Sequence, residues 1–427
     1  MAASLLSWSA LLHSPSPPPR HPYQPMSLGI SPHLGVVAVG ARDCPENDAS
    51  ALLFFGLEQG RRMDSMEKPG LGQCSVARGA ASLENSFACT GWNKANGNTT
   101  AAGPAGYRHE FSGEPAMMTT TGISGHGDVS AFLWEEAPDE KHLNNRSGTL
   151  VLVDGGKEVY RLEVQGQGSD DPQSVAISAG PDARGRFTAA AVLGSVNKVV
   201  EYDPETKQGT ELWSKTGLEI DIAVSAHGEA FAVTSGGGHT IDVYSRSGAG
   251  FALLANIPAP NFAVQPATLA FDRADSLSPS IFFSVAWTDA VGSQVIVTAH
   301  EIKEMKTVHQ IWSYAPPNCS GGAQFDYVMQ QGLGISGGGE VVAVGLWGCD
   351  GGSDESGQVV ALKGRGGDGK ALLLNATLPG EVWAVDVDVD VRTKSVYVGA
   401  GSWKSNIGSV PAQVSVYKWK LDEGEEE

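Results

Sequence analysis

The chain has 427 residues, a formal net charge of −19 and a charged fraction of only 18%. Phosphate contacts need clustered Lys and Arg, so this balance argues against nucleic acid and against docking on an anionic membrane surface. No run approaches the roughly 20 apolar residues of a spanning helix. Gly 54 and a hydrophobic content of 41% instead fit short strands and tight turns around a sizeable core, with the acid solvating a large surface.

Residues 1–13, MAASLLSWSALLH, lack the positive n-region of a signal peptide, and serines interrupt their apolar segment. LLSWSALL is similar to ELWSK around Trp213 and QIWSYAP around Trp312, both of which close repeat units. Residues 1–13 are therefore expected to form a closing outermost strand. Residues 14–25, SPSPPPRHPYQP, read as a Pro-rich linker outside any sheet. Extended, twelve residues reach about 40 Å, enough to run from the inner to the outer edge of a four-stranded unit.

From Met26 a ten-residue frame recurs, a Ser turn followed by an apolar run: SPHLGVVAVG from Ser31, SGHGDVSAFL from Ser124, SAHGEAFAVT from Ser225 and SGGGEVVAVG from Ser336. Ala38, Ala131, Ala232 and Ala343 fall in one column without a gap. Alternating strands follow at 51–60, 149–156, 240–248, 358–367 and 413–422, with fourth strands at 251–258 and 371–379. Frames near Ser31, Ala81, Ser124, Ser178, Ser225, Asp272, Ser336 and Asp390 lie 43 to 64 residues apart. A four-stranded unit of about 40–50 residues is a propeller blade.

The fold class is thus all-β: a β-propeller of eight blades over residues 26–421, one domain, with 422–427 as an acidic tail. Seven blades is the alternative, because the ASLENSFACT unit carries weak strand signals. The last unit has no fourth strand of its own. Pairing it with the N-terminal strand would close the ring and remove a sheet edge.

GTELWSK (209–215), GGKEVYRLE (155–163) and VHQIWSYAP (308–316) resemble the blade endings of pyrroloquinoline-quinone-type propellers, and the VAIS and VAVG frames are similar to those of WD-like and quinoprotein-like propellers. The family's enzymes bind quinone and calcium in a central funnel, use an aspartate base and usually carry two adjacent cysteines. This chain has no Cys-Cys dipeptide, and Tyr160 stands where the resemblance would place Trp. What the resemblance implies here is the fold and not the activity.

Local motifs read as structure. Gly334-Ile335-Ser336-Gly337-Gly338 matches G-x-S-x-G, but a strand follows it, and Ser31, Ser124 and Ser225 share its column without the motif. These serines are expected to cap turn amides. The overlapping dinucleotide fingerprint from Gly332 lacks its helix. His126 and His227 belong to turns of separate blades. Asp386, Asp388 and Asp390 alternate with valines in VDVDVDV and are expected on a solvated face. In the glycine-rich loop CDGGSDESG, Asp350, Asp354 and Glu355 are hard oxygen ligands that could hold calcium.

Five cysteines without a C-x-x-C pair do not suggest structural zinc. Cys319 with Cys349 is the favoured bridge, Cys74 with Cys89 a second, and free buried thiols the alternative. N-x-S/T sequons at Asn98, Asn145, Asn318 and Asn375 are candidate glycosylation sites, and with the cysteines lean toward the secretory lumen or extracellular space. Two functions remain. One is a non-catalytic, monomeric propeller scaffold binding a protein or glycan partner through its loops, with no convergent ionisable cluster in the funnel and no required cofactor. The other is a funnel enzyme, a quinone-dependent dehydrogenase or metal-assisted hydrolase.

Overall fold

The alternating segments fold as the third strands of their sheets: Ser50–Gly56, Ser147–Asp154, Thr240–Ser247, Ser356–Lys363 and Gln413–Lys420. The computed structural model describes residues 5–421 apart from 13–22, 44–49, 68–72, 94–97, 113–119, 137–146, 166–173, 194, 218, 220, 235–238, 262–263, 274–279, 290–294, 317–324, 329–330, 350–355, 369–370 and 404–411. Its strands form eight antiparallel sheets. The inner strands are Tyr23–Ser31, Gln73–Val76, Thr120–Ile123, Ser174–Ile177, Ile222–Val224, Val264–Phe271, Leu333–Ile335 and Glu381–Asp390, and we number blades 1 to 8 in that order. Each inner strand contacts the next, and the last contacts the first, so the sheets close into an eight-bladed propeller. Blade 2, the weak unit, has all four strands, with a one-turn 3-10 segment Leu83–Asn85 in its first hairpin.

The core follows from this stacking. Eight apolar clusters fill the eight gaps between neighbouring blades. The alanine column sits where strands are most crowded: Ala38, Ala131, Ala232 and Ala343 are buried second-strand residues. They pair in register with Gly29, Gly122, Ala223 and Gly334 of the inner strands. A Cβ on Gly29 would lie 2.4 Å from Val76 of the next blade, so the channel wall tolerates only small residues there.

The ring closes as expected. Leu5–Leu11 pairs antiparallel with Gln413–Lys420, Ala10 opposite Val414 and Leu5 opposite Lys418, and becomes the outermost strand of blade 8. Trp8 anchors it: its indole Nε1 donates to the Leu57 carbonyl at 2.7 Å, and its ring lies on Phe55 and against Gly60. Gly60 has φ +62°, and a Cβ there would enter the indole, so glycine is required twice over.

One boundary differs. The first inner strand begins at Tyr23, inside the stretch expected to be linker, and Pro25 lies within it. The register shifts between Pro25 and Ser27, and at such a bulge a residue without an N–H costs no ladder bond. The remainder of that stretch, and the tail 422–427, lie outside the described residues.

Candidate functional site: the channel mouth

In blades 3, 4, 5 and 7 the first hairpin is closed by a serine. Ser124, Ser178, Ser225 and Ser336 each accept at Oγ from a second-strand amide, that of Val129, Thr188, Ala230 and Val341, at 3.0–3.1 Å. The hydroxyl of Ser336 is therefore a turn cap, as the shared column indicated, and it also donates to Glu340. Ala77 and Asp272 hold the same backbone position in blades 2 and 6, their amides donating to Ser86 and Phe282.

In most blades the residue after this position lines the mouth of the channel. At the mouth of the channel these residues are Pro32, Gly125, Ala179 and Gly337, together with two arginines, Arg78 of blade 2 and Arg273 of blade 6. Blades 2 and 6 stand opposite one another in a ring of eight. The small residues leave a mouth of about 580 Å³, which narrows past both arginines into a channel of about 190 Å³.

Arg78 crosses to the far blades. Its Nη2 donates to Asp386 Oδ1 at 2.5 Å, and its Nη1 donates to Asp388 Oδ1 at 3.3 Å and to the Ile335 carbonyl at 3.0 Å. Burial works against its charge, but Asp386 and Asp388 outweigh burial and hold its pKa above the ordinary value. The two aspartates also accept backbone amides, Asp386 from Ile30 at 2.8 Å and Asp388 from Gly337 at 3.2 Å. Burial is the main influence on the Asp388 carboxyl and pushes it up. One ion cluster thus ties blades 1, 2, 7 and 8.

This corrects the sequence reading of VDVDVDV. Val385 and Val387 do enter the core and Val389 packs against it, but Val391 is 80% exposed. The opposite face, however, is the channel and not solvent: the Asp386 and Asp388 side chains are 13% and 10% exposed. Only Asp390 sits in an open turn, accepting from the Arg392 and Thr393 amides. The expectation of a funnel without convergent ionisable groups also fails.

A third channel carboxylate lies deeper. Asp221 accepts from Ser174 Oγ at 2.6 Å, Thr268 Oγ1 at 3.0 Å, and the Ile222 and Leu269 amides at 2.9 and 3.0 Å. Ser174, Asp221 and Thr268 are 47 residues apart and stitch blades 4, 5 and 6. Burial pushes the Asp221 carboxyl up despite these donors.

The other candidates are placed as follows. His126 and His227 are in separate blades, their Nδ1 atoms 3.1 Å from the Gly79 carbonyl and 2.9 Å from that of Pro181, so each contacts the turn of the preceding blade. Asp350, Asp354 and Glu355 lie outside the described residues, as do Cys319, Asn145 and Asn318. Cys349 ends a blade 7 strand. Among the described residues no group of three or more His, Cys, Asp or Glu is arranged to hold a metal. Among the described residues there is a Cys74–Cys89 bridge, between directly paired residues of blade 2 with Cα atoms 4.1 Å apart; it is the second of the two pairings the sequence allowed. Asn98 lies on a blade 2 strand, and Asn375 is exposed on the outermost strand of blade 7. No helix among the described residues is long and apolar enough to cross a membrane.

No protein-family model matches the sequence, and no curated protein does. Among solved structures, the WD40 domain of SCAP from fission yeast is similar, with a TM-score of 0.51 at 9% identity, covering 96% of this chain and 94% of that one. A prolyl endopeptidase structure aligns with a TM-score of 0.49 at 12% identity, over 90% of this chain and 55% of that one. At such identities the likeness to the WD40 domain establishes a shared fold and nothing of activity, and the endopeptidase alignment carries no argument.

Proposed function

We propose that the protein is a non-catalytic propeller scaffold that binds a protein or glycan partner through the loops of its rim. The observation that carries this reading is the state of the channel carboxylates. Asp221 and Asp386 each take several hydrogen bonds from neighbouring blades, and Asp388 takes Arg78 and the Gly337 amide. A base ready for catalysis needs a lone pair aimed at a substrate proton. These carboxylates are spent on bracing the disc, which leaves the rim loops to carry function, as connecting loops on rigid scaffolds commonly do.

The Cys74–Cys89 bridge and the exposed Asn375 side chain support a route through an oxidising, glycosylating compartment. Calcium held by Asp350, Asp354 and Glu355 belongs to this proposal as a ligand of the native chain.

The competing reading is a quinone-dependent dehydrogenase or a metal-assisted hydrolase working in the funnel. Thermal unfolding of the full chain with and without pyrroloquinoline quinone plus calcium separates the two, because a ligand of the native state raises the midpoint. Calcium alone is expected to give whatever shift is seen. A further rise on adding the quinone would overturn the scaffold reading.

A further inference from the structure

Of the arginines lining the mouth, Arg78 and Arg273 come from opposite blades, and of these two only Arg78 is ion-paired among the described residues. Arg78 is saturated by Asp386, Asp388 and the Ile335 carbonyl. Arg273, half-buried on the opposite wall, has no hydrogen-bond or ion-pair partner among the described residues. The nearby carboxylates are already engaged: Asp388 by Arg78 and the Gly337 amide, Glu340 by Ser336 Oγ, and Asp390 by Thr393 and two turn amides.

We propose that the channel mouth binds a small oxyanion, a phosphate or carboxylate group held by the Arg273 guanidinium. Three features argue for it. Guanidinium presents a planar fork of donors that matches such groups in bidentate fashion. The ring positions beside the arginines are Pro32, Gly125, Ala179 and Gly337, so about 580 Å³ stays open in front of Arg273, within the usual range of small-ligand sites. The carboxylates that line the mouth, Glu340, Asp388 and Asp390, are all bound to other donors, which leaves the Arg273 guanidinium as a donor set facing the cavity. Burial, reinforced by Arg78, lowers the Arg273 pKa to about 10, which Asp386 and Asp388 offset only in part. An anion would reverse this unfavourable balance. The site is independent of what the rim loops bind, so its failure leaves the scaffold reading untouched.

The test is thermal unfolding of the full chain with inorganic phosphate or with citrate, against sodium chloride at equal ionic strength. Wild type is expected to gain midpoint with at least one of the two, and which one identifies the group. Arg273→Met is expected to lose that gain while melting no lower than wild type in chloride. No gain in wild type, or an equal gain in the variant, overturns the assignment. Should the variant fail to fold, phenylglyoxal labelling of wild-type Arg273, read by peptide mass, replaces it. Labelling slowed by the effective anion supports the site, and labelling at an unchanged rate rejects it.

Discussion

At the scale of single residues, the ion cluster is a brace with a measurable cost of removal. Arg78, Asp386 and Asp388 have side chains only 10–15% exposed, so deleting the cation leaves two carboxylates in a poorly solvated channel. Breaking a buried pair from one side commonly costs about 3–5 kcal/mol. Arg78→Met is therefore expected to lower unfolding free energy by that order, read by urea denaturation. Arg78→Met with Asp386→Asn and Asp388→Asn should recover a large part of it, since no charge is then stranded. A single variant as stable as wild type would remove the brace from the account. None of these roles was legible from the sequence. Period-2 alternation tells which residues oppose the valines, but not whether that opposite face meets solvent or the axis. The sequence frame falls on Ala81, whereas Ala77 occupies the equivalent position, and this shift hides Arg78 from the ring column.

At the scale of elements, strand and turn chemistry carried most of the information. Alternation locates the starts of the third strands within two residues but runs four residues past the ends at Gly56 and Lys363, whereas the fourth strands Gly250–Pro258 and Leu372–Pro379 are matched within one residue. Those strands are half-exposed, which is the condition for a clear pattern. Inner strands were harder, being short and buried on both faces; that of blade 7 is split into Phe325–Tyr327 and Leu333–Ile335. Blade 2 was the least legible, and it is the blade that carries the disulfide. Cys74 and Cys89 stand 15 residues apart, and a loop of that size corresponds to about 3 kcal/mol of denatured-state entropy. Cys74→Ser with Cys89→Ser is expected to lower stability by that order in oxidised protein, and dithiothreitol should bring wild type down to the level of the variant. A wild-type midpoint insensitive to reductant, with mass spectrometry showing free thiols, would dismiss the bridge.

At the scale of the whole molecule, the controlling feature is that the chain closes its own ring. A propeller buries its core between blades, so each gap needs both neighbours. The gap between blades 8 and 1 is filled from the N-terminus: Trp8 and Leu12 join Leu53, Phe55, Tyr397 and Val414 in one cluster. The Leu12 amide donates to the Ala412 carbonyl at 2.8 Å, and Trp8 bonds across to Leu57 of blade 1, so the strand latches two blades as well as covering an edge. Deleting residues 1–12 would uncover Gln413–Lys420, a strand rich in Val, Tyr and Trp, and leave an apolar gap open on one side. The truncated chain is expected to melt well below wild type and to self-associate at concentrations where the full chain does not, read by calorimetry and light scattering. Trp8→Ala keeps the strand but removes its anchor, and should cost about 3–5 kcal/mol without association. The two variants separate edge protection from packing: association on truncation alone assigns it to the exposed strand, and association in both assigns it to the opened core. A truncated chain that melts like wild type and stays dispersed would mean that the ring holds without its latch.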